Sequence, residues 1–169
     1  MEKEEALALL NQSYQKLNTT TPLRHDCGRR CGKACCSGDE ETTHGVYLFP
    51  YEKRMLPENA PWFSLETDLL PGFGQVDMLV CTGNCPRELR PLGCRIFPLA
   101  PRIKEGTLKL CLDPRGRPVC PLCHDRIAAL DSAFVETVKE VLGEMWNSPG
   151  FHEYITALAN HAASFDFRI

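Results

Sequence analysis

The segment Cys27-Gly-Arg-Arg-Cys31-Gly-Lys-Ala-Cys35-Cys36 places four cysteines within ten residues. Its two glycines permit the tight bends that a ligand loop needs, because glycine carries no side-chain penalty at positive φ. The stretch from Asp26 to Asp39 follows neither the helical nor the strand period, which predicts a loop ordered by ligation of its thiols. Adjacent cysteines tend to point in different directions, so we expect Cys35 and Cys36 to serve two separate metal centres.

Six further cysteines lie between residues 81 and 123. Cys81 and Cys85 enclose a turn that follows a predicted strand, a common way to present two thiolates to one ion. Cys120 and Cys123 are predicted to open a long helix, whose N-terminus would stabilise thiolates through its dipole and free amides. The predicted metal ligands are Cys27, Cys31, Cys35, Cys36, Cys81, Cys85, Cys94 and Cys120, with Cys123 in reserve.

Three other residues have two interpretations each. Cys111 lies inside a strand pattern and fits a core position as well as a ligand position. His25 and His124 each lie within two residues of a cysteine. Either histidine could complete a site of three thiolates and one imidazole.

The ten cysteines among 169 residues need a chemical reason, either disulfides in an exported protein or metal-bound thiolates in a reducing cell. The acidic start, Met1-Glu2-Lys3-Glu4-Glu5, is unlike an export signal, and no apolar run is long enough to span a membrane. We therefore expect a cytoplasmic protein without a membrane partner. The net charge of −3 argues against nucleic acid as the main partner, which leaves a protein or small-molecule partner of unknown identity.

Arginines accompany each group of cysteines in the sequence. They are Arg24, Arg29 and Arg30 at the first group, Arg87, Arg90 and Arg95 at the second, and Arg115 and Arg117 before the third. Cations near thiols lower the pKa values of those thiols and offset the negative charge of a thiolate centre. The same residues also fit a solvated basic surface.

The periodicity of the chain predicts an α+β fold with a small antiparallel sheet, cysteine-rich loops, and helices at both ends. We predict a single domain over residues 1–169, with a cysteine core region at 25–123 and C-terminal helices within 124–164. Helices are predicted from Glu2 to Leu17, from Asp125 through Met145, and from Pro149 to Ala163. Strands are predicted at Val46 to Phe49, Val76 to Cys81, Arg95 to Ile103 and Leu108 to Leu112, and the stretch from Pro57 to Pro71 is predicted to be irregular.

The ordered set of cysteines resembles a known family, the zinc- or iron-chelating cysteine-cluster domains, also called YkgJ-like and named for a CxxCxxCC element. The segment from Cys27 to Cys36 is similar to that element, and Cys81 with Cys85 is similar to a middle pair. Arg90-Pro91, Cys94-Arg95 and Cys120-Pro121 are similar to the remaining segments. The first segment differs from the family name in having three residues between successive cysteines. The resemblance implies a metal-binding domain.

The sequence therefore predicts a metal-binding protein with one or two thiolate centres, with zinc favoured and an iron-sulfur cluster as the alternative. A closed tetrahedral zinc site needs four thiolates and nothing further. Cys-Pro pairs at 85–86 and 120–121 are typical of ferredoxin ligand runs and favour iron. A thiol-disulfide oxidoreductase using Cys120 and Cys123 is a rival from another class, since Cys-Pro-Leu-Cys matches a CxxC redox pair.

Overall fold

The computed structural model describes residues 3–36, 45–83 and 85–166. Its α-helices are α1 (Lys3–Leu17), α2 (Gly28–Cys31), α3 (Leu92–Ile96), α4 (Ser132–Trp146) and α5 (Pro149–Ala163). Its strands are β1 (Gly45–Tyr47), β2 (Phe63–Leu70), β3 (Gly74–Cys81), β4 (Leu99–Lys104) and β5 (Thr107–Leu112). These elements confirm the predicted α+β class with helices towards both ends. Residues 1–2 of the N-terminal segment and 37–39 of the predicted loop lie outside the described residues.

The strands form two antiparallel units. β1, β3 and β2 lie in that order in a three-stranded sheet, and β4 pairs with β5 as a hairpin. In the sheet, Gly45 pairs with Val80 and Phe63 pairs with Cys81, so one end of the sheet carries the last residue of β3. This end of the sheet therefore presents Cys81 beside the start of β1.

The long helices bury one apolar side each, as their sequence period predicts. On α4 the buried residues recur at helical spacing, and they are Phe134, Val138, Val141, Leu142 and Met145. Asp131 caps this helix by accepting hydrogen bonds from the backbone amides of Ala133 and Phe134 at 3.0 and 3.3 Å. Lys16 on α1 lies 2.7 Å from both Glu140 and Glu144 and ties α1 to α4. None of the helices in the described ranges is long and apolar enough to cross a bilayer.

The stretch from Pro57 to Pro71 is not irregular, because it contains β2. This strand lies at the edge of the sheet, and most of its side chains are exposed. An edge strand is held mainly by backbone pairing on one side and so has little need of an apolar pattern. The sequence signal was therefore weak, although the pairing with β3 extends from Phe63 to Leu70.

Two other predicted boundaries are wrong. The predicted strand from Arg95 to Ile103 begins only at Leu99, because Leu92–Ile96 forms α3. The predicted helix from Asp125 begins at Ser132, and a short 3-10 turn at Ile127–Ala129 precedes it. Apolar residues at helical spacing upstream of Ser132 extended the helical pattern beyond the helix itself.

A buried glutamate joins three parts of the chain. Glu52 is fully buried, and its carboxylate accepts hydrogen bonds from the Phe49 amide at 2.8 Å and the Leu92 amide at 2.6 Å. The Tyr14 hydroxyl of α1 donates a third hydrogen bond to it. Burial raises the pKa of Glu52, while these donors and the charge of Arg95 oppose that rise. The carboxylate therefore links the start of α3 to α1 and to Phe49, which follows β1.

We expect Glu52→Gln to lower the free energy of unfolding by about 2–3 kcal/mol. The glutamine side chain has only one acceptor oxygen. Its NH2 group would therefore face a backbone N–H that donates to the carboxylate in the wild type, and one donor would be left without an acceptor. Urea denaturation followed by circular dichroism measures the loss. The exposed Glu66→Gln on β2 is the matched control and should stay within about 0.5 kcal/mol of the wild type. Equal stability of the two variants would contradict the role assigned to Glu52.

Candidate metal centre

Six of the eight predicted ligands line one cleft of about 380 Å³. They come from four parts of the chain: the first cysteine segment, the end of β3, the turn after it, and α3. The lining cysteines are Cys27, Cys35, Cys36, Cys81, Cys85 and Cys94. The other two predicted ligands, Cys31 and Cys120, are not part of this lining.

The first cysteine segment reverses direction between its second and third cysteines. Helix α2 ends at Gly32, whose φ of 62° is left-handed, and Lys33 follows with a φ of 61°. The chain then forms a 3-10 turn at Ala34–Cys36. This reversal carries Cys35 and Cys36 to the cleft.

The two adjacent cysteines are closer together than the sequence prediction assumed. The Sγ atoms of Cys35 and Cys36 lie 4.0 Å apart. Two thiolates on one tetrahedral zinc are about 3.8 Å apart, given a Zn–S bond of about 2.3 Å. The described geometry therefore does not require Cys35 and Cys36 to serve separate ions.

The turn that carries Cys81 and Cys85 lies against the first cysteine segment. Cys81 is the last residue of β3, as predicted, and the Thr82 amide continues the pairing by donating to the Trp62 carbonyl at 3.0 Å. Gly83 has a φ of 92°, and a Cβ placed there would lie 3.9 Å from the Cys36 carbonyl oxygen. The positive φ therefore favours glycine in this turn, which lies beside Cys36.

Helix α3 brings Cys94 to the same cleft by packing closely on β1. A Cβ on Gly93 would lie 2.5 Å from Val46 Cγ2, so only glycine fits between the helix and the strand. The next residue, Arg95, donates through Nε to the Arg90 carbonyl and through Nη2 to the Glu88 carbonyl, both at 2.7 Å. These bonds hold the turn after Cys85 against α3.

The thiols in this cleft influence one another electrostatically. Burial raises the pKa of Cys81 to about 11, and the charges of Cys36 and Cys85 add to the rise. Burial also raises the pKa of Cys94, again with Cys81, Cys36 and Cys85 as contributors. Burial raises the pKa of Cys85 as well, although Arg90 opposes it and Cys36 supports it. Without a cation these thiols are therefore protonated at neutral pH.

A second group of cysteines lies around Cys27. Burial raises the pKa of Cys27, and the charges of Asp26, Cys31 and Cys120 contribute in the same direction. Cys120 is 7% exposed and Cys123 is 5% exposed. The sequence prediction for this pair was wrong in one respect: Pro121–His124 is a four-residue 3-10 turn, so no long helix begins there. The expected helix-dipole stabilisation of their thiolates is therefore absent.

Cys111, His124 and His25, whose roles the sequence left open, do not line the cleft. Cys111 is on β5, and its Sγ lies 3.7 Å from the carbonyl oxygen of Ala100 on the neighbouring strand. His124 places Nε2 at 2.8 Å from the Arg117 carbonyl oxygen. His25 is exposed.

Four of the predicted arginines line the cleft, and the others do not. The lining arginines are Arg87, Arg90, Arg95 and Arg115. Arg115 forms a two-point ion pair with Asp113, with Nε and Nη2 at 2.9 and 2.7 Å from the carboxylate oxygens. Sequence reasoning assigned neither Asp113 nor Thr20 to the site, although both line the cleft. Neither residue belongs to a motif that could have identified it.

Across residues 3–36, 45–83 and 85–166, no group of three or more histidine, cysteine, aspartate or glutamate side chains is arranged so that it could hold a metal ion. All ten cysteines are free thiols. The donor type fits a soft divalent metal, because six thiols line one cleft. Comparisons with protein-family models, with curated proteins and with solved structures found no match for this chain.

We expect Gly93→Ala to destabilise the protein by about 1–3 kcal/mol, because the added methyl group would push α3 away from Val46. The matched control is Gly143→Ala on α4, where an added Cβ meets nothing within 4 Å. That variant should be more stable than the wild type by about 0.5–1 kcal/mol, since alanine favours helix. Thermal and urea unfolding measure both changes. Changes of the same sign in both variants would contradict the close packing of α3 on β1.

Proposed function

We propose that this chain is a metal-binding protein whose main centre uses Cys36, Cys81, Cys85 and Cys94, with zinc as the favoured ion. The observation that carries the proposal is that these four thiols line one cleft. In addition to burial, Cys36 raises the pKa values of Cys81, Cys85 and Cys94, and Cys81 and Cys85 raise that of Cys94. Like-charged thiolates repel one another in a buried site, and a divalent cation removes that penalty. Coordination requires the four sulfur atoms to draw closer around the ion. When bound, zinc would supply a cross-link between loops that have little regular structure.

A second centre is proposed around Cys27, Cys31 and Cys120. Cys31 Sγ lies 4.0 Å from the Cys27 carbonyl oxygen, and Cys27 interacts electrostatically with both other thiols. Cys35 lies between the two groups, since its pKa is raised by contact with Cys36 and by the charges of Cys31 and Cys94. The eight predicted ligands therefore divide into two neighbouring groups that Cys35 connects.

The cellular setting proposed here is the reducing cytoplasm, where thiols remain free and available to metal. The ten free cysteines support this setting. We also propose that the resemblance to the cysteine-cluster family reflects shared metal binding. An iron-sulfur cluster is the alternative occupant, because it uses the same four thiolates.

Anaerobic purification followed by elemental analysis tests the main centre. We expect at least one zinc per chain, and we expect Cys36→Ser and Cys94→Ser each to lose one ion. Cys111→Ser is the matched control and should keep the full metal content, because Cys111 lies outside the cleft. Cys27→Ser should remove only the second ion.

Visible spectroscopy on the same samples separates the two metals. Strong absorbance at roughly 400 nm would show that the bound group is an iron-sulfur cluster and not a zinc ion. The absence of both zinc and iron at stoichiometric levels, or full metal content in both Cys36→Ser and Cys94→Ser, would overturn metal binding at this centre.

The rival function, thiol-disulfide exchange through Cys120 and Cys123, has less support. Both thiols are buried, and burial together with Cys120 raises the pKa of Cys123. Reactive thiols are partly exposed and have lowered pKa values. We expect the wild type to show no insulin reduction above a no-protein control. Activity that Cys123→Ser abolishes would favour the rival.

A further inference from the structure

The cleft extends well beyond its cysteines. Its other walls are largely apolar and include Phe49, Phe97, Leu99, Val119 and Leu158. Phe49 follows β1, Phe97 connects α3 to β4, and Leu99 begins β4. Val119 precedes Cys120, and Leu158 belongs to α5. A volume of about 380 Å³ lies within the range of small-molecule sites, which are mostly apolar with a few polar groups. A metal ion fills only a small part of such a space.

Two polar atoms at this cleft are buried without a hydrogen-bond partner. They are Thr20 Oγ1 and Arg90 Nε, and both residues line the cleft. Folded proteins leave few buried polar groups unpaired, because each one is costly. Arg90 Nε can only donate, so a metal cation cannot satisfy it. Arg90 Nε therefore calls for an acceptor that is distinct from the ion, and an oxygen acceptor could also pair with the Thr20 hydroxyl.

The two unpaired atoms belong to neighbouring parts of the cleft. Arg87 Nη2 lies 3.5 Å from the Thr20 carbonyl oxygen. Arg90 ends the same short turn, since its amide donates to the Arg87 carbonyl at 3.3 Å. Arg87 thus links the Thr20 backbone to the turn that ends at Arg90.

The charges at this end favour an anion. Among the residues that line the cleft, Arg87, Arg90 and Arg95 lie beside the thiols, and Asp26 is the carboxylate near them. Asp26 already accepts a hydrogen bond from the Gly28 amide at 3.0 Å. The other lining carboxylate, Asp113, is paired with Arg115. Apart from the cysteines, the charged side chains around Arg90 are therefore two further arginines and one carboxylate.

We propose that this cleft binds a small organic carboxylate with an apolar body. The carboxylate accepts hydrogen bonds from Arg90 Nε and the Thr20 hydroxyl, and the apolar body lies against Phe49, Phe97 and Leu158. This binding goes beyond the metal-binding function, because none of the groups that hold the ligand is a thiol. Arg90 also hydrogen-bonds Cys85 of the proposed metal centre, so the two sites are adjacent. The proposed binding places the bound carboxylate beside the proposed metal centre.

Isothermal titration of the full chain with 3-phenylpropionate tests the proposal. We expect a dissociation constant of about 1 mM or tighter, and at least fivefold weaker binding of the neutral 3-phenylpropanamide. Thr20→Val keeps the shape of the side chain and removes the hydroxyl, so it should weaken 3-phenylpropionate binding about fivefold. The thermal stability of Thr20→Val should equal or exceed that of the wild type, because an unpaired hydroxyl is lost.

Two further variants complete the design. Thr19→Val changes the exposed neighbour and should leave binding unchanged. Arg90→Lys keeps the positive charge, removes the Nε donor, and should weaken binding at least fivefold. The metal content of every sample is measured in parallel, so that weaker binding in a variant with normal metal content is assigned to the ligand site and not to the metal centre.

Three outcomes would overturn the proposal. The first is no heat of binding up to about 10 mM 3-phenylpropionate. The second is equal binding of the acid and the amide. The third is wild-type affinity in both Thr20→Val and Arg90→Lys. Binding that persists in samples without metal would support the ligand site while the metal proposal fails.

Discussion

The buried carboxylate of Glu52 is the constraint on which the cysteine cleft depends. A carboxylate is removed from water at a cost of several kcal/mol unless donors replace its hydration. Here Tyr14, the Phe49 amide and the Leu92 amide supply those donors. Because the Leu92 amide begins α3, the same carboxylate fixes the helix that carries Cys94. The Arg95 guanidinium of α3 also lies 4.2 Å from the centre of the Tyr14 ring, and this contact links α3 to α1.

The long helices could be predicted from the sequence, and the short central elements could not. α1, α4 and α5 show their apolar period over fifteen residues each, and α5 has the predicted bounds. The hairpin of β4 and β5 was also predicted, and Glu105 and Gly106 have the positive φ values that such a turn requires. α3 has five residues, too few to show a period, and its first amide is held by Glu52, which lies 40 positions away in the sequence. Contacts of that kind leave no local pattern.

The same distinction applies to the candidate site. Cysteine spacing identified six residues that line the cleft, because repeated thiols have few other roles. It could not show that Cys31 and Cys120 lie outside the cleft, since a short 3-10 turn replaced the helix expected at Cys120. Nor could it show that the sulfur atoms of Cys35 and Cys36 lie 4.0 Å apart, or that the chain turns before them at two consecutive left-handed residues, Gly32 and Lys33. A single residue without a motif, such as Thr20, can be assigned to the site only from its position and burial in the structure.

The arginines decide whether a metal centre and a carboxylate can share this cleft. Four thiolates around one zinc carry about two net negative charges, and a bound carboxylate adds one more. Arg87, Arg90 and Arg95 supply a matching number of positive charges from the same turn and helix. Arg95 is held by carbonyl oxygens through Nε and Nη2, so it acts mainly through its charge, whereas Arg90 retains a free donor at Nε. The two arginines would therefore have different roles in the proposed site: Arg95 would offset the thiolates from a fixed position, and Arg90 has the donor that would bind an oxygen ligand.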